Sequence, residues 1–246
     1  MGEPNGLQPP QRTAGDTKHA AARVVLSAIP WVGGPAVELL AAILRPPWEK
    51  RRDEWMQNIA EAVRRLLEQG RTTVEQLQAN EAFIDAIQQA SVIATRNHEM
   101  EKIEALRNAV VNSALPDAPE ESLQKMFMAM VDDMTVWHMR ILGLFQNPQS
   151  WFARCGKPPL EAGMVRAPVE VLLAAYPEMS AKRAFYDQAW RDLHSRGLVY
   201  IDSLHITTSP YPAAPRTTEL GNQFLSFIAD NTSRGRTEKP PERGDA

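Results

Sequence analysis

The chain holds a single cysteine, Cys155, in 246 residues. One thiol closes no internal disulfide and builds no cysteine-rich zinc site, and such sparing use fits a cytoplasmic setting. Charge of one sign is also missing: 27 Lys and Arg stand against 30 Asp and Glu, for a net charge of −3 and a pI near 6.0. Nothing therefore draws the chain as a whole toward nucleic acid. No glycine-rich phosphate loop is present, since Gly33-Gly34 is not followed by Lys-Ser/Thr at the required spacing. A nucleophile elbow, a kinase signature and a repeat of 20–50 residues are absent too. These absences leave no catalytic motif, so the expectation is a protein that is not an enzyme and carries no cofactor.

An uninterrupted apolar run is likewise lacking. Residues 24–44 are mostly apolar, with Glu38 as the one charge, but Pro30 and Gly33-Gly34-Pro35 break the stretch. A membrane-spanning helix needs about 20 apolar residues in a row. The better reading is a hairpin of two short helices, 20–29 and 35–44, with Pro35 at the first helical position. Trp31 and Val32 fall at its tip and Trp48 just beyond it, beside Arg45, Lys50, Arg51 and Arg52. Two uses are open for this hairpin. It packs into the core, or Trp31, Val32 and Trp48 dock on a protein partner or a membrane surface, which would make the protein peripheral to the membrane.

With 43% hydrophobic and 23% charged residues, the remainder is ordinary globular composition. Residues 1–18 and 231–246 are polar and rich in Gly, Pro or charge, and are expected to be disordered tails. No signal-peptide pattern opens the chain. Met1-Gly2 begins as an acylation site would, but Gly6 stands where Ser or Thr is expected. Residues 19–152 read as a helical domain. Helical spacing places Trp55 or Met56, Ile59, Val63, Leu66 and Leu67 inward, and Gly70 closes that helix. Thr73 starts a short piece and Asn80 caps a long run ended before Pro116, with a break at Asn97-His98. Further helices are expected over 120–134 and 136–145, the second capped by Thr135 and ended at Asn147-Pro148. Residues 153–167, rich in Gly and Pro, read as a linker; the alternative is that 126–145 packs into the C-terminal module and the boundary is soft.

The polar clusters each have an ordinary explanation. His98, Glu101 and Glu104 lack a second histidine at helical spacing for a metal site. Asp132, Asp133 and His138 flank a turn, and helix-end and turn chemistry explains Asp133 better than acid–base work does. Cys155 lies beside Arg154 and Lys157 without an identifiable histidine partner. Met126, Met128, Met130, Met134 and Met139 suit either an irregular core or an adaptable groove for a partner helix.

Residues 168–230 carry the most specific pattern. Pro168 opens a short helix with Val169, Leu172 and Leu173 on one face, and Tyr176-Pro177 ends it. Ser180 is placed as the cap of a longer helix bearing Ala184, Phe185, Ala189 and Leu193, with Trp190 near the stripe. Gly197 terminates it. Residues 198–201 and 204–207 resemble strands, and 209–215, with three prolines, reads as the wing loop. Thr217 or Thr218 then caps a helix with Leu220, Phe224, Leu225 and Ile228 inward. This is the order of a winged helix-turn-helix. Its candidate DNA contacts are Lys182, Arg183, Arg191 and Arg196, offset by Asp187 and Asp192. The wing adds one cation, fewer than a phosphate-neutralising surface needs, so nucleic acid is not the favoured partner.

Several segments, taken in order, resemble the bacterial abortive-infection alpha-like family. They are 29–35, the helix from Arg51-Arg52 to Trp55, 134–142, Gly197-Leu198-Val199, and 218–224 with its Leu-Gly-x-x-Phe pattern. The resemblance spans about 23–228. It implies a helical protein with a C-terminal winged helix and a role in phage defence, and it supplies no active-site residues. The expected fold is therefore mainly α: an N-terminal helical bundle followed by a C-terminal winged helix with a small β wing. The expected role is that of an interaction protein with a protein partner or a second copy of itself. A DNA-binding regulator is the alternative.

Overall fold

The structure, a computed structural model, describes residues 35–159, 167–206 and 214–231, and it is mainly helical. The candidate contacts Trp31 and Val32, the first arm of the expected hairpin, and both expected tails beyond Asn231 and before Pro35 lie outside the described residues. The chain divides into two units, Met1–Glu54 and Trp55–Ala246. The division falls inside the first described helix, α1 (Pro35–Glu68, 34 residues).

That helix corrects the sequence reading. It starts at Pro35 as expected, but it does not stop at Leu44. It runs on through Pro46 and Pro47 into the stretch expected to begin a separate helix near Asp53. A proline inside a helix removes one intrahelical donor, and here two adjacent positions lose one each. The proline φ is itself helical, however, and strong helix formers stand on both sides, so a weakened turn replaces the expected end.

In the second unit, α1 contributes Trp55, Ile59, Ala62 and Leu66, all buried, while Met56 is exposed. The Trp55 indole N–H donates to Ser91 Oγ at 2.8 Å. Gly70 takes φ +64 and ends the helix region, a conformation that glycine adopts without strain. Thr73 caps α2 (Val74–Gln78) in a reciprocal box with Gln76. Asn80 accepts from the Phe83 N–H and opens α3 (Glu81–Arg96). The expected break is present: Asn97 ends α3, and α4 (Met100–Ser113) begins after Glu99. Next come α5 (Glu121–Asp133), α6 (Val136–Gln146) and α7 (Pro148–Arg154). Asn147 caps this last helix, with Pro148 at its first position, so that segment is not the plain stop expected.

The C-terminal elements are α8 (Pro168–Ala175), a 3-10 turn (Pro177–Met179), α9 (Arg183–Ser195) and α10 (Glu219–Ile228). Three details correct the sequence reading. Ser180 belongs to the end of the 3-10 turn, and Lys182 precedes α9 without a side-chain cap. The buried stripe of α9 is Tyr186, Ala189, Trp190 and Leu193, while Phe185 is 39% exposed. No strand forms among the described residues. One antiparallel bridge joins Val199 to Thr217, and Leu204-His205 is a turn. Leu204 is buried, and its carbonyl accepts from the Val169 N–H at 3.0 Å, which commits the segment to α8 rather than to a ladder. Residues 207–213, where most of the expected wing falls, lie outside the described residues.

The expected division at 153–167 does not divide the core. Phe127 of α5 meets Phe224 and Phe227 of α10 at centroid distances of 5.5 and 5.7 Å. Phe145 of α6 meets Trp190 of α9 at 4.9 Å. Buried Asn112 of α4 donates to the Phe227 and Ala229 carbonyls at 2.7 and 2.9 Å, and Asn108 donates to the Ile228 carbonyl. These amides satisfy carbonyls at the end of α10 that have no intrahelical donor. The C-terminal helices are thus part of one hydrophobic core, because their apolar faces find cover on α4, α5 and α6.

Two glycines fix the path between α9 and α10. Gly197 takes φ +72, with its N–H on His194 O and the Leu198 N–H on Leu193 O, a Schellman end. Gly221 lies against the Leu198 carbonyl so closely that an added Cβ would overlap its oxygen. The glycine of the Leu-Gly-x-x-Phe pattern therefore has a physical cause: α10 crosses the backbone at Leu198 at a separation only glycine permits.

Candidate functional site

The first half of α1 presents an unusual surface. Leu39 is 63%, Leu40 43%, Ile43 58% and Leu44 36% exposed. Positions i, i+1, i+4 and i+5 make one stripe along a helix. Water contact of four adjacent large aliphatic side chains is unfavourable, at roughly 25 cal/mol per Å² of apolar area. Residues 35–54 carry four cations (Arg45, Lys50, Arg51, Arg52) and four carboxylates (Glu38, Glu49, Asp53, Glu54). Lys50 pairs with Glu54 at 3.7 Å and Arg52 with Asp53 at 3.1 Å. The surface is apolar, and the charge over 35–54 is balanced. Trp48, expected just past a helix end, instead sits within α1 and is half-buried. No helix among the described residues is long and apolar enough to cross a membrane.

The second candidate surface is α9. Its outward line is Ala184, Gln188, Arg191 and Ser195, all exposed. Of the four expected DNA contacts, Lys182 is exposed at the start of the helix. Arg183 pairs with Asp187 at 3.5 Å, and Asp187 also meets His205 Nε2 at 2.8 Å. Arg191 donates to Gln188 Oε1 at 3.0 Å. Arg196 is half-buried and pairs with Asp133 at 3.5 Å, across to the end of α5. The four cations do not converge: two of them are held by carboxylates of the protein itself.

The polar residues around the α5–α6 turn are spread over separate partners. Asp132 receives Arg96 at 2.7 Å, Asp133 receives Arg196, and His138 Nε2 lies 3.4 Å from Asp192. His138 Nδ1 accepts from the Thr135 N–H at 3.2 Å, so the imidazole completes the cap of α6. Burial pushes its pKa below the usual histidine range, against the pull of Asp192. Lys102 is buried and donates to the Asp132 carbonyl at 2.7 Å, closing the end of α5; burial lowers its pKa. Glu101 is engaged bidentately by Arg140, which pulls its carboxyl below the usual range. Among the described residues, no group of three His, Cys, Asp or Glu could hold a metal ion. Cys155 is exposed at the end of α7. Of the methionine group, Met128, Met130 and Met134 are buried and Met139 is half-buried, leaving Met126 exposed; core filling accounts for most of it.

Sequence reasoning missed the roles of Lys102 and His138. Both were open to it. Lys102 interrupts an inward line with Ala105, Leu106 and Ala109, and His138 stands at the third helical position after a threonine cap, where Glu or Gln usually answers the cap. A half-buried aromatic group was also missed: Tyr176 packs edge-on against Trp137 and Trp151, each at 5.2 Å, and burial pushes its phenol up to about 12. Its members come from α6, from α7 and from the residue that follows α8.

Compared with known proteins, the chain matches no family model, no curated protein and no solved structure.

Proposed function

We propose that this is a non-enzymatic interaction protein that docks through the first half of α1. The exposed stripe of Leu39, Leu40, Ile43 and Leu44 carries the reading. A contiguous apolar surface of this kind is the usual mark of a docking site. Its balanced charge favours a protein surface over an anionic membrane, which attracts clustered cations. A dye that fluoresces on apolar surfaces tests the reading. The protein should bind it, and Leu40→Lys with Ile43→Lys should remove most of the signal while circular dichroism stays unchanged. Dye binding indifferent to both substitutions would overturn it. The setting that accompanies this reading is phage defence, which rests on the family resemblance. Expression in a sensitive bacterial host should lower phage plating, and normal plating would refute that setting.

The second reading is a DNA-binding regulator built on a winged helix over 168–228. It is supported by the helix order, by the Val199–Thr217 bridge, and by the outward Gln188 and Arg191, side chains that suit base edges. The internal pairing of Arg183 and Arg196 speaks against a tight complex. Fluorescence anisotropy at physiological salt should find no sequence-specific binding. A selected DNA motif whose affinity falls on Arg191→Ala would reverse the ranking.

A further inference from the structure

We propose that a hydrogen-bond relay links the outward face of α9 to the buried His138, so that Gln188 and Arg191 change their arrangement when the imidazole gains a proton. The relay crosses from α6 to α9. The Thr135 N–H and hydroxyl both donate to His138 Nδ1, at 3.2 and 2.8 Å. Two donors on one ring nitrogen leave the proton of the neutral imidazole on Nε2. Nε2 lies 3.4 Å from Asp192 Oδ2, on α9. The other oxygen of that carboxylate, Oδ1, accepts from Gln188 Nε2 at 2.7 Å. Gln188 Oε1 in turn accepts from Arg191 at 3.0 Å. His138 is buried, while Gln188 and Arg191 are exposed. One end of this chain of bonds is thus sealed in the core, and the other is open to a ligand.

Protonation acts on both sides of the ring. Nδ1 becomes a donor, so it can serve only the Thr135 hydroxyl oxygen, and the Thr135 N–H loses its acceptor. Nε2 becomes part of a cation beside a carboxylate, a stronger pair than a neutral donor makes. Asp192 is drawn toward the ring, and Gln188 and Arg191, bonded to it in series, must follow or let go. The charges around His138 set where this happens. Asp192 and Arg196 act on it from α9, and Lys102 from α4. Asp133, at the end of α5, pairs with Arg196, and the Asp132 carbonyl holds Lys102, so both acidic residues stand behind those cations. Burial and the two cations oppose the imidazolium, Asp192 favours it, and the titration falls below the ordinary histidine range. The relay is independent of what the stripe on α1 binds. A partner that bonds Gln188 or Arg191 would meet a different set of donors above and below this titration.

Proton–nitrogen NMR of the full chain between pH 5 and 7 tests this. In the wild type, the Gln188 side-chain amide signals should move with pH, at the same midpoint as the His138 ring signals. His138→Gln should abolish that movement. Asp192→Asn keeps the imidazole but offers one acceptor oxygen in place of two. The His138 titration should then persist at a lower midpoint, while the Gln188 signals cease to follow it. Spectra otherwise unchanged show that both variants fold. Gln188 signals that stay fixed through the His138 titration of the wild type overturn the inference. So do Gln188 signals that still follow His138 in Asp192→Asn, since a field acting through space, not a chain of bonds, would then carry the effect.

Discussion

In the first half of α1, Leu39, Leu40, Ile43 and Leu44 face water; in the second half, Trp55, Ile59, Ala62 and Leu66 are buried. The helix is continuous, and the residue types are nearly the same. Apolar spacing therefore marks a face of a helix without saying what covers it. Over 55–68 the cover belongs to the core of this chain, where Trp55 also finds a hydrogen-bond partner in Ser91. Over 39–44 no such anchor exists among the described residues. Core and docking surface are thus written in the same alphabet, and only structure separates them.

Graded damage should separate the two halves. The largest effect should come from removing 168–246, which strips the cover from Phe127 and the partners from Asn112. That truncation should lose cooperative melting, and the isolated 168–230 piece should lack a melt of its own; two independent transitions would show that the core is not single. Next, Phe127→Ala and Trp55→Ala should each cost ~3–5 kcal/mol in denaturant unfolding. Gly221→Ala should cost ~1–3 kcal/mol, because its Cβ must push α10 away from Leu198. By the same assay Ile43→Ala should fall within about ±0.5 kcal/mol, as exposed positions do. A core-sized loss at Ile43 would erase the distinction between the two halves.

A smaller effect is pH-dependent. His138 is held neutral by burial, so its folded pKa lies below the unfolded value of about 6.5. The unfolded chain takes up the proton first. Stability from this group is therefore complete above pH ~6.5, falls as pH drops from there toward the folded pKa, and levels off beneath it. Protonation also turns Nδ1 from an acceptor of the Thr135 N–H into a competing donor. Denaturant midpoints between pH 5 and 7 should show this slope. His138→Gln, which keeps an acceptor for the cap, should flatten it, and an unchanged slope would place the titration elsewhere.

Much of the helical order was legible because its signals are local. Pro35, Thr73, Asn80, Thr135, Thr218, Gly70 and Gly197 each act within a turn of their own position, through a cap, a helix start or a positive φ. What failed depends on distant partners. The run through Pro46-Pro47 is decided against the local rule. The segment at Leu204 looks like a strand until Val169 claims its carbonyl. The exposed Phe185 and the buried Tyr186 are one position apart, and only the cover on α9 distinguishes them. For the candidate site, the sequence pointed to the apolar block around 24–44, but it placed the emphasis on Trp31, Val32 and Trp48 rather than on the Leu39–Leu44 stripe. Among the expected DNA contacts, Lys182, Arg183 and Arg191 are exposed, but the pairing of Arg196 with Asp133, 63 positions away by number, could not be read from spacing.

Thiol labelling probes the division of α1 at single positions. In a Cys155→Ser background, Leu40→Cys and Ala62→Cys place one reporter on each half of the helix, at an exposed and a buried position. Under native conditions, the thiol at position 40 should react nearly as fast as in denaturant. The thiol at 62 should stay protected throughout. Equal protection of both thiols would show that position 40 belongs to the core and that α1 has no docking half.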